Sequence, residues 1–184
     1  GEIEVKSPGQ MLGYYKNPDK TREDMTGDGF LRTGDMGEID EDGCLRITGR
    51  VKDLFKTAKG KYVVPVPIEN RFRHPQAEVV CVAGANQPQP CLMVLLSEDA
   101  RRQLVQGGDR GALERELSQQ LDTLNGTAEP HEKLAFLVVV KDPWTMENGM
   151  LTPTMKIRRN VIERAYQERM AEWAAVGRKV VWET

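Results

Sequence analysis

Apolar and polar residues alternate in short runs through the first 49 residues, and this pattern predicts β-strands. The runs are residues 2–5, 29–33, 37–40 and 44–47. Glu41-Asp42-Gly43 separates the last two and predicts a hairpin turn, because glycine tolerates a positive φ angle. A short helix is expected to begin at Pro18. This part is too small to bury a core of its own and indicates a piece of a larger sheet or barrel.

Beyond residue 50 the pattern indicates an α+β fold. Two short runs, 54–57 and 62–64, flank Ala58-Lys59-Gly60-Lys61 and predict a second hairpin. The remaining expected elements are a helix with Pro67 in its first turn, strands over 78–83, 91–97 and 134–141, a helix after Ser97, and a helix over 110–121. Leu113, Leu117 and Leu121 would share one face of that last helix. We expect a mixed sheet of about three strands with flanking helices.

The last helix is predicted to begin at Thr154, which is a suitable N-cap residue. Its apolar stripe would comprise Ile157, Val161, Ile162, Ala165, Tyr166 and Met170. Its polar face would comprise Arg158, Arg159, Glu163 and Glu168. On this interpretation Lys156 lies in the first turn, where the helix dipole does not favour a cation.

Composition and charge narrow the functional classes. The formal net charge is −2 with 29% charged residues, which gives no overall basic field for nucleic acid. The three cysteines form no C-x-x-C pair and the two histidines are far apart, so we expect no metal site. No apolar run approaches the length needed to span a bilayer. We expect a cytoplasmic location, with peripheral membrane attachment through the rest of a larger protein as the alternative.

Four segments, in order, resemble the acyl-adenylate-forming superfamily, and in particular its long-chain acyl-CoA synthetases. They are Gly13-Tyr14-Tyr15-Lys16-Asn17-Pro18 after the first strand, Phe30-Leu31-Arg32-Thr33-Gly34-Asp35, Gly49-Arg50-Val51-Lys52-Asp53 with the following segment to Glu69, and Asn148-Gly149-Met150-Leu151-Thr152-Pro153-Thr154-Met155-Lys156. One such motif alone is weak evidence for the family, but four motifs in the right order are specific evidence.

The resemblance implies a domain organisation and an activity. Residues 1–50 would be a β-rich remnant of the large AMP-binding domain, and residues 51–184 would be the mobile C-terminal lid domain. The parent enzyme would be a ligase that activates a fatty acid with ATP to acyl-AMP and transfers the acyl group to CoA. ATP, Mg²⁺ and CoA would be bound mostly outside this chain, and the missing N-terminal adenylation domain would complete the site. The fragment alone is expected to be inactive.

The resemblance also assigns roles to individual residues. Lys156 would stabilise the charge that develops when the adenylate forms. Asp35 would accept hydrogen bonds from the ribose hydroxyls, and Arg50 would contact the same nucleotide. Lys52 falls at the hinge, where the backbone must rotate but the side chain needs no chemical role.

The loop Lys59-Gly60-Lys61 would face the pantetheine arm of CoA in the second half-reaction, since Gly60 permits a close backbone approach. A solvated hairpin tip would have the same composition. Two alternatives to the CoA ligase remain: an acyl-AMP ligase that loads a carrier protein, and a non-catalytic α+β binding or regulatory module. The second alternative predicts a replaced lysine at position 156, and this chain has the lysine.

Overall fold

The chain folds as two units that divide after Lys52. The computed structural model describes residues 1–184, with one unit at Gly1–Lys52 and the other at Asp53–Thr184. The boundary falls within a single turn of 3-10 helix, Val51–Asp53. The first unit contains about a quarter of the chain, and the second contains the hydrophobic core.

The first unit is a three-stranded antiparallel sheet in the order β1-β2-β3. Its elements are β1 (Glu2–Val5), α1 (Pro18–Asp24), β2 (Leu31–Ile39) and β3 (Leu45–Arg50). The runs 29–33 and 37–40, expected as two strands, belong mainly to the single strand β2. Ile39 and Ile47 are 74% and 66% exposed, and the only buried residue of this unit is Gly49. The unit therefore has no core of its own, in agreement with the sequence prediction.

The second unit begins with a hairpin and continues as a sheet with helices on both faces. Its elements are β4 (Phe55–Lys56), β5 (Tyr62–Val63), α2 (Pro65–Arg71), β6 (Ala77–Ala83), β7 (Cys91–Leu96), α3 (Glu98–Val105), α4 (Arg110–Gly126), β8 (Leu137–Val139), α5 (Arg159–Ala175) and β9 (Val180–Trp182). The α+β class is confirmed. None of the helices has both the length and the apolar character needed to cross a bilayer.

The main sheet has four strands, in the order β6-β7-β8-β9, rather than the expected three. Strands β6 and β7 are antiparallel, whereas β7, β8 and β9 run parallel to one another. Strand β9 was missed because it is only three residues long, which is too short for alternation to be recognised.

Strand β7 is buried along its whole length because both faces of the sheet are covered. Successive side chains point to opposite faces. Leu92 and Val94 pack into one core with Leu117 and Leu121 of α4. Met93 and Leu95 pack into a second core with side chains of α5. The two cores lie on opposite faces of the sheet, which therefore fixes α4 and α5 on either side of it.

The first residue of α5, Arg159, forms a buried ion pair with Glu69 of α2. The side chains are 6% and 11% exposed. Arg159 donates from Nη1 to Glu69 Oε1 at 2.6 Å and from Nη2 to Glu69 Oε2 at 3.0 Å. It also donates to the carbonyl oxygen of Val82 at 2.6 Å, while Glu69 accepts from the Val82 N–H at 2.7 Å. One charge pair thus joins α2, β6 and α5.

This pair corrects the prediction for the last helix in two respects. Arg159, assigned to the polar face, lies on the buried stripe with Ile162, Tyr166 and Met170. The helix also begins at Arg159 and not near Thr154, so Thr154 is not its N-cap. The buried ion pair holds the start of the helix instead of a capping side chain.

Arg159→Ala is expected to lower the free energy of unfolding by about 3–5 kcal/mol, because it leaves the Glu69 carboxylate buried without its partner. Urea unfolding of the chain, followed by tryptophan fluorescence, measures this change, since all three tryptophans lie in the second unit. The exposed neighbour provides the control variant, Arg158→Ala. A loss below about 1 kcal/mol, the range of a surface pair, would contradict the prediction.

The three cysteines are expected to differ sharply in reactivity. Burial raises the pKa of the Cys91 thiol to about 12 and raises that of Cys81 as well, whereas Cys44 is exposed. Thiolate is the reactive form, so both buried thiols stay protonated and inert near neutral pH. Titration with a thiol reagent at about pH 8, close to the pKa of an exposed thiol, should modify one cysteine rapidly in the native chain and all of them after unfolding. Rapid native labelling of a second cysteine would show that the core opens.

Candidate functional site

Asp35 and Arg50, the two predicted nucleotide-binding residues, are cross-strand neighbours in the first unit. They face each other in the register between β2 and β3. Arg50 Nε lies 3.0 Å from Asp35 Oδ1, and the two side chains are 65% and 28% exposed. An ion pair this exposed contributes little to stability, so its partners remain available for other contacts. The structure brings these two residues together, but their role toward a nucleotide stays a prediction.

The strand bulges where Asp35 projects from it. Between the pairs Glu2↔Met36 and Glu4↔Arg32, β2 has two more residues than β1. Gly34 lies in this bulge with φ +74°, a conformation that strains any residue with a Cβ. Thr33 stabilises the turn, because its hydroxyl accepts from the Asp35 N–H at 3.1 Å and donates to the Ile3 carbonyl at 2.8 Å. The Thr33-Gly34-Asp35 motif thus sets the direction of the aspartate.

Lys52, the predicted hinge residue, is the last residue of the first unit. It is exposed and lies in the 3-10 turn. No ion pair holds its side chain. Its position is compatible with backbone rotation, and the hinge role stays a prediction.

Lys59, Gly60 and Lys61 lie at the exposed tip of the β4–β5 hairpin, in the segment 57–61 that we call the hairpin loop. The buried Thr57 anchors this loop through backbone bonds with Lys61 and Gly60, both at 2.9 Å. Gly60 has φ +77°, and a Cβ built there would meet only Lys56 Cε, at 3.6 Å. Glycine is therefore required for the turn, and the space above it is open.

Lys156 lies on a tight turn rather than on a helix. We call residues 148–158 the lysine loop. Leu151 and Ile157 form an isolated antiparallel bridge, and Thr152 closes the turn between them. The Thr152 N–H donates to the Lys156 carbonyl at 2.8 Å, and the Thr152 hydroxyl accepts from the Lys156 N–H at 3.1 Å. Lys156 precedes α5 by three residues, so the helix-dipole argument does not apply to it.

The side chain of Lys156 is exposed, and the ammonium forms no ion pair. It borders an open groove of about 530 Å³ whose other wall is formed by α2 and the start of β6. The hairpin loop does not line this groove. Lys156 and the hairpin loop therefore occupy two different surfaces of the second unit.

A histidine, His74, also lines the groove, and both of its ring nitrogens have partners. His74 Nδ1 accepts from the Gln76 N–H at 3.3 Å, and Nε2 lies 3.2 Å from Glu116 Oε2. A ring that accepts at Nδ1 carries its proton on Nε2. His74 therefore donates to Glu116 and has no free acceptor, which makes it structural rather than chemical.

Two residues that shape the site were missed from sequence. Thr152 precedes a proline and was not distinguished from other loop threonines, although a hydroxyl that bonds the backbone a few residues on is a common turn device. Glu163 was placed on the polar face of α5, but its Oε1 accepts from the N–H groups of Gly84 and Ala85 at 3.0 and 3.1 Å. Nothing in its local sequence signals a partner 79 residues away.

The structure contains no group of three or more His, Cys, Asp or Glu side chains placed to hold a metal ion. Mg²⁺ in nucleotide sites is usually held by one or two carboxylates together with substrate phosphates and water.

Similar sequences are acyl-CoA synthetases. The chain is 32% identical over 190 residues to "Long chain acyl-CoA synthetase 7, peroxisomal" of Arabidopsis thaliana, covering 95% of the chain and 27% of that protein. It is 32% identical over 179 residues to "Long-chain-fatty-acid--CoA ligase FadD15" of Mycobacterium tuberculosis, covering 90% and 30%. The chain thus spans little more than a quarter of the length of these relatives.

Similar solved structures include adenylation domains. The adenylation domain of a carboxylate reductase from Mycobacterium chelonae matches with a TM-score of 0.78 and 26% identity, over 95% of this chain and 28% of that one. The corresponding domain from Segniliparus rugosus, solved with AMP and a co-purified carboxylic acid, matches with a TM-score of 0.77 and 26% identity, over 96% and 28%.

The family match lies almost entirely in the second unit. Residues 52–174 match the family described as "AMP-binding enzyme C-terminal domain". This match spans the hairpin, the four-stranded sheet up to β8, the lysine loop and nearly all of α5. The chain therefore belongs to the AMP-binding enzyme C-terminal domain family.

Proposed function

We propose that this chain is the C-terminal part of a long-chain fatty-acid-CoA ligase, with residues 1–50 from the large AMP-binding domain and residues 51–184 as its mobile lid. The observation that carries the proposal is the Lys156 ammonium, which is exposed and unpaired on a turn built by its neighbours. The relatives named as long-chain CoA ligases support the substrate class. The missing N-terminal adenylation domain is the required partner.

In the first half-reaction a carboxylate oxygen of the fatty acid bonds to the α-phosphorus of ATP. The bond from that phosphorus to the bridging oxygen breaks, and pyrophosphate leaves with the electron pair. Both reactants are anions, so the barrier includes their repulsion. The Lys156 ammonium, placed between them, stabilises the transition state more than the separated reactants.

Asp35 and Arg50 hold the nucleotide during this step in our proposal. The free Oδ2 of Asp35 accepts from the ribose hydroxyls, which are donors, and Arg50 supplies directional donors beside it. Their mutual pair, Nε to Oδ1 at 3.0 Å, leaves the other carboxylate oxygen and the terminal guanidinium nitrogens free for the ligand.

In the second half-reaction the CoA sulfur bonds to the acyl carbon, the bond from that carbon to the phosphate oxygen breaks, and AMP leaves with the electron pair. The thiol proton passes to solvent. The lid turns about Lys52 between the two steps and presents the hairpin loop, where Gly60 leaves space for the pantetheine arm. Lys59 and Lys61 attract the CoA phosphates.

A carrier protein is the second candidate acceptor. One similar structure is the A-PCP didomain of the Segniliparus rugosus carboxylate reductase, with a TM-score of 0.76 and 26% identity. Both acceptors present a phosphopantetheine thiol, so the same hairpin loop would serve either. Supplying the full-length enzyme with acyl-AMP and either CoA or a phosphopantetheinylated carrier protein separates the two candidates by the thioester that accumulates.

Lys156→Ala in the full-length enzyme is expected to slow adenylate formation by about 10²–10³-fold, the loss typical of one transition-state charge contact. Pyrophosphate release, measured over a series of fatty acids, follows this step. Thioester formation from supplied acyl-AMP should stay within about threefold, because the lysine does not act there. Lys133→Ala removes another exposed lysine and serves as the control. An equal loss in both half-reactions would refute the assignment.

Gly60→Leu in the full-length enzyme is expected to show the reverse pattern, with thioester formation slowed about tenfold or more and pyrophosphate release preserved. The side chain would fill the open space at the loop tip and strain its φ of +77°. Gly177→Leu is the matched control, since Gly177 has φ +69° and open surroundings in a different turn. Unimpaired thioester formation in the Gly60 variant would remove the pantetheine assignment.

A further inference from the structure

We infer that Glu163 is a positioning residue for the hairpin loop, and that it acts through the segment 84–87. This inference rests on the proposed function of the hairpin loop in thioester formation. Glu163 itself lies in α5 and belongs to neither loop.

The first link joins α5 to segment 84–87. Glu163 Oε1 accepts from both Gly84 N at 3.0 Å and Ala85 N at 3.1 Å. Hydrogen bonds from backbone donors to a carboxylate are stronger than those between neutral groups. The carboxylate thus clamps two successive peptide groups at the end of β6.

The segment is tightly constrained beyond that clamp. Gly84 has φ +132°, and a Cβ there would lie 2.9 Å from Pro90 Cα. Gln87 N donates to the Gly84 carbonyl at 3.0 Å and closes the turn, while Asn86 has a positive φ of 62°. A turn this compact transmits a displacement at Gly84 to Asn86 and Gln87 instead of absorbing it.

The last link joins the segment to the hairpin. Asn86 N donates to the Lys56 carbonyl at 2.9 Å, and Ala58 N donates to the Gln87 carbonyl at 2.9 Å. These two bonds flank Thr57, which anchors the hairpin loop. The β4–β5 ladder itself is only two residue pairs long and cannot fix the direction of the loop alone.

A series of hydrogen bonds therefore connects Glu163, through the segment 84–87, to the base of the hairpin loop. The same helix begins three residues after Lys156. Loss of the Glu163 carboxylate would loosen the hairpin loop but leave Lys156 held by Thr152. Loss of the carboxylate should therefore slow thioester formation and leave adenylate formation unchanged.

Glu163→Ala in the full-length enzyme should slow thioester formation from acyl-AMP by about 10- to 100-fold, since an error near 1 Å in a positioning element has that effect. Pyrophosphate release should stay within about twofold. Glu163→Gln should restore the thioester rate to within about threefold, because both hydrogen bonds use one oxygen and the amide retains it. Glu163→Asp, with a shorter reach, gives a milder variant should the alanine variant unfold.

Amide hydrogen exchange supplies a readout independent of activity. In Glu163→Ala, exchange should accelerate at residues 84–87 and 57–61 and stay unchanged at 150–158. Glu183→Ala is the matched control: the Glu183 side chain is 4% exposed and accepts from Lys141 N at 2.7 Å, far along the chain from the hairpin. This control variant should lower the stability of the fold without slowing one half-reaction more than the other.

The positioning role and the ligase proposal fail by different results. Equal losses in both half-reactions, no recovery with glutamine, or an unchanged thioester rate despite faster exchange would each overturn the positioning role while leaving the ligase proposal intact. An unsubstituted enzyme that formed no thioester with either acceptor would overturn the ligase proposal, and the positioning role would fall with it.

Discussion

The buried ion pair between Glu69 and Arg159 is the constraint on which the second unit depends. It connects α2, the strand β6 and the first turn of α5, and it satisfies both polar groups of Val82 at the same time. A charge pair of this kind is expensive to bury and still more expensive to break. Its geometry admits one docking of α5 against the sheet, and the lysine loop is attached directly to the start of that helix.

The first two turns of α5 therefore position two loops with different proposed tasks. Arg159 fixes the helix beside the lysine loop, and Glu163, one turn later, fixes the segment that carries the hairpin loop. In the proposed mechanism the lid rotates between the two half-reactions, so its two working surfaces should keep a constant separation. The start of α5 is joined to α2 and β6 through Arg159, and the same helix is joined to the base of the hairpin through Glu163 and the segment 84–87.

Local periodicity was sufficient to predict most strands and helices, because the relevant forces act between neighbours in sequence. The leucine spacing of α4 and the apolar run of β7 could be recognised in the sequence for this reason. The order of four motifs identified the family. What could not be predicted depends on contacts between distant residues: Arg159 lies on a buried stripe only because Glu69, 90 positions away, neutralises it. The short strand β9 likewise exists only by pairing with β8.

The turn beneath Lys156 has a consequence for how such a domain could change over generations. Its backbone is held by Thr152 and by the bridge from Leu151 to Ile157, with no contribution from the lysine ammonium. Almost any side chain could replace the lysine with little cost to folding, so mutational drift would erase it freely in a domain that no longer needed it. A lysine retained at this position among relatives would therefore indicate use of its charge and not a requirement of the fold.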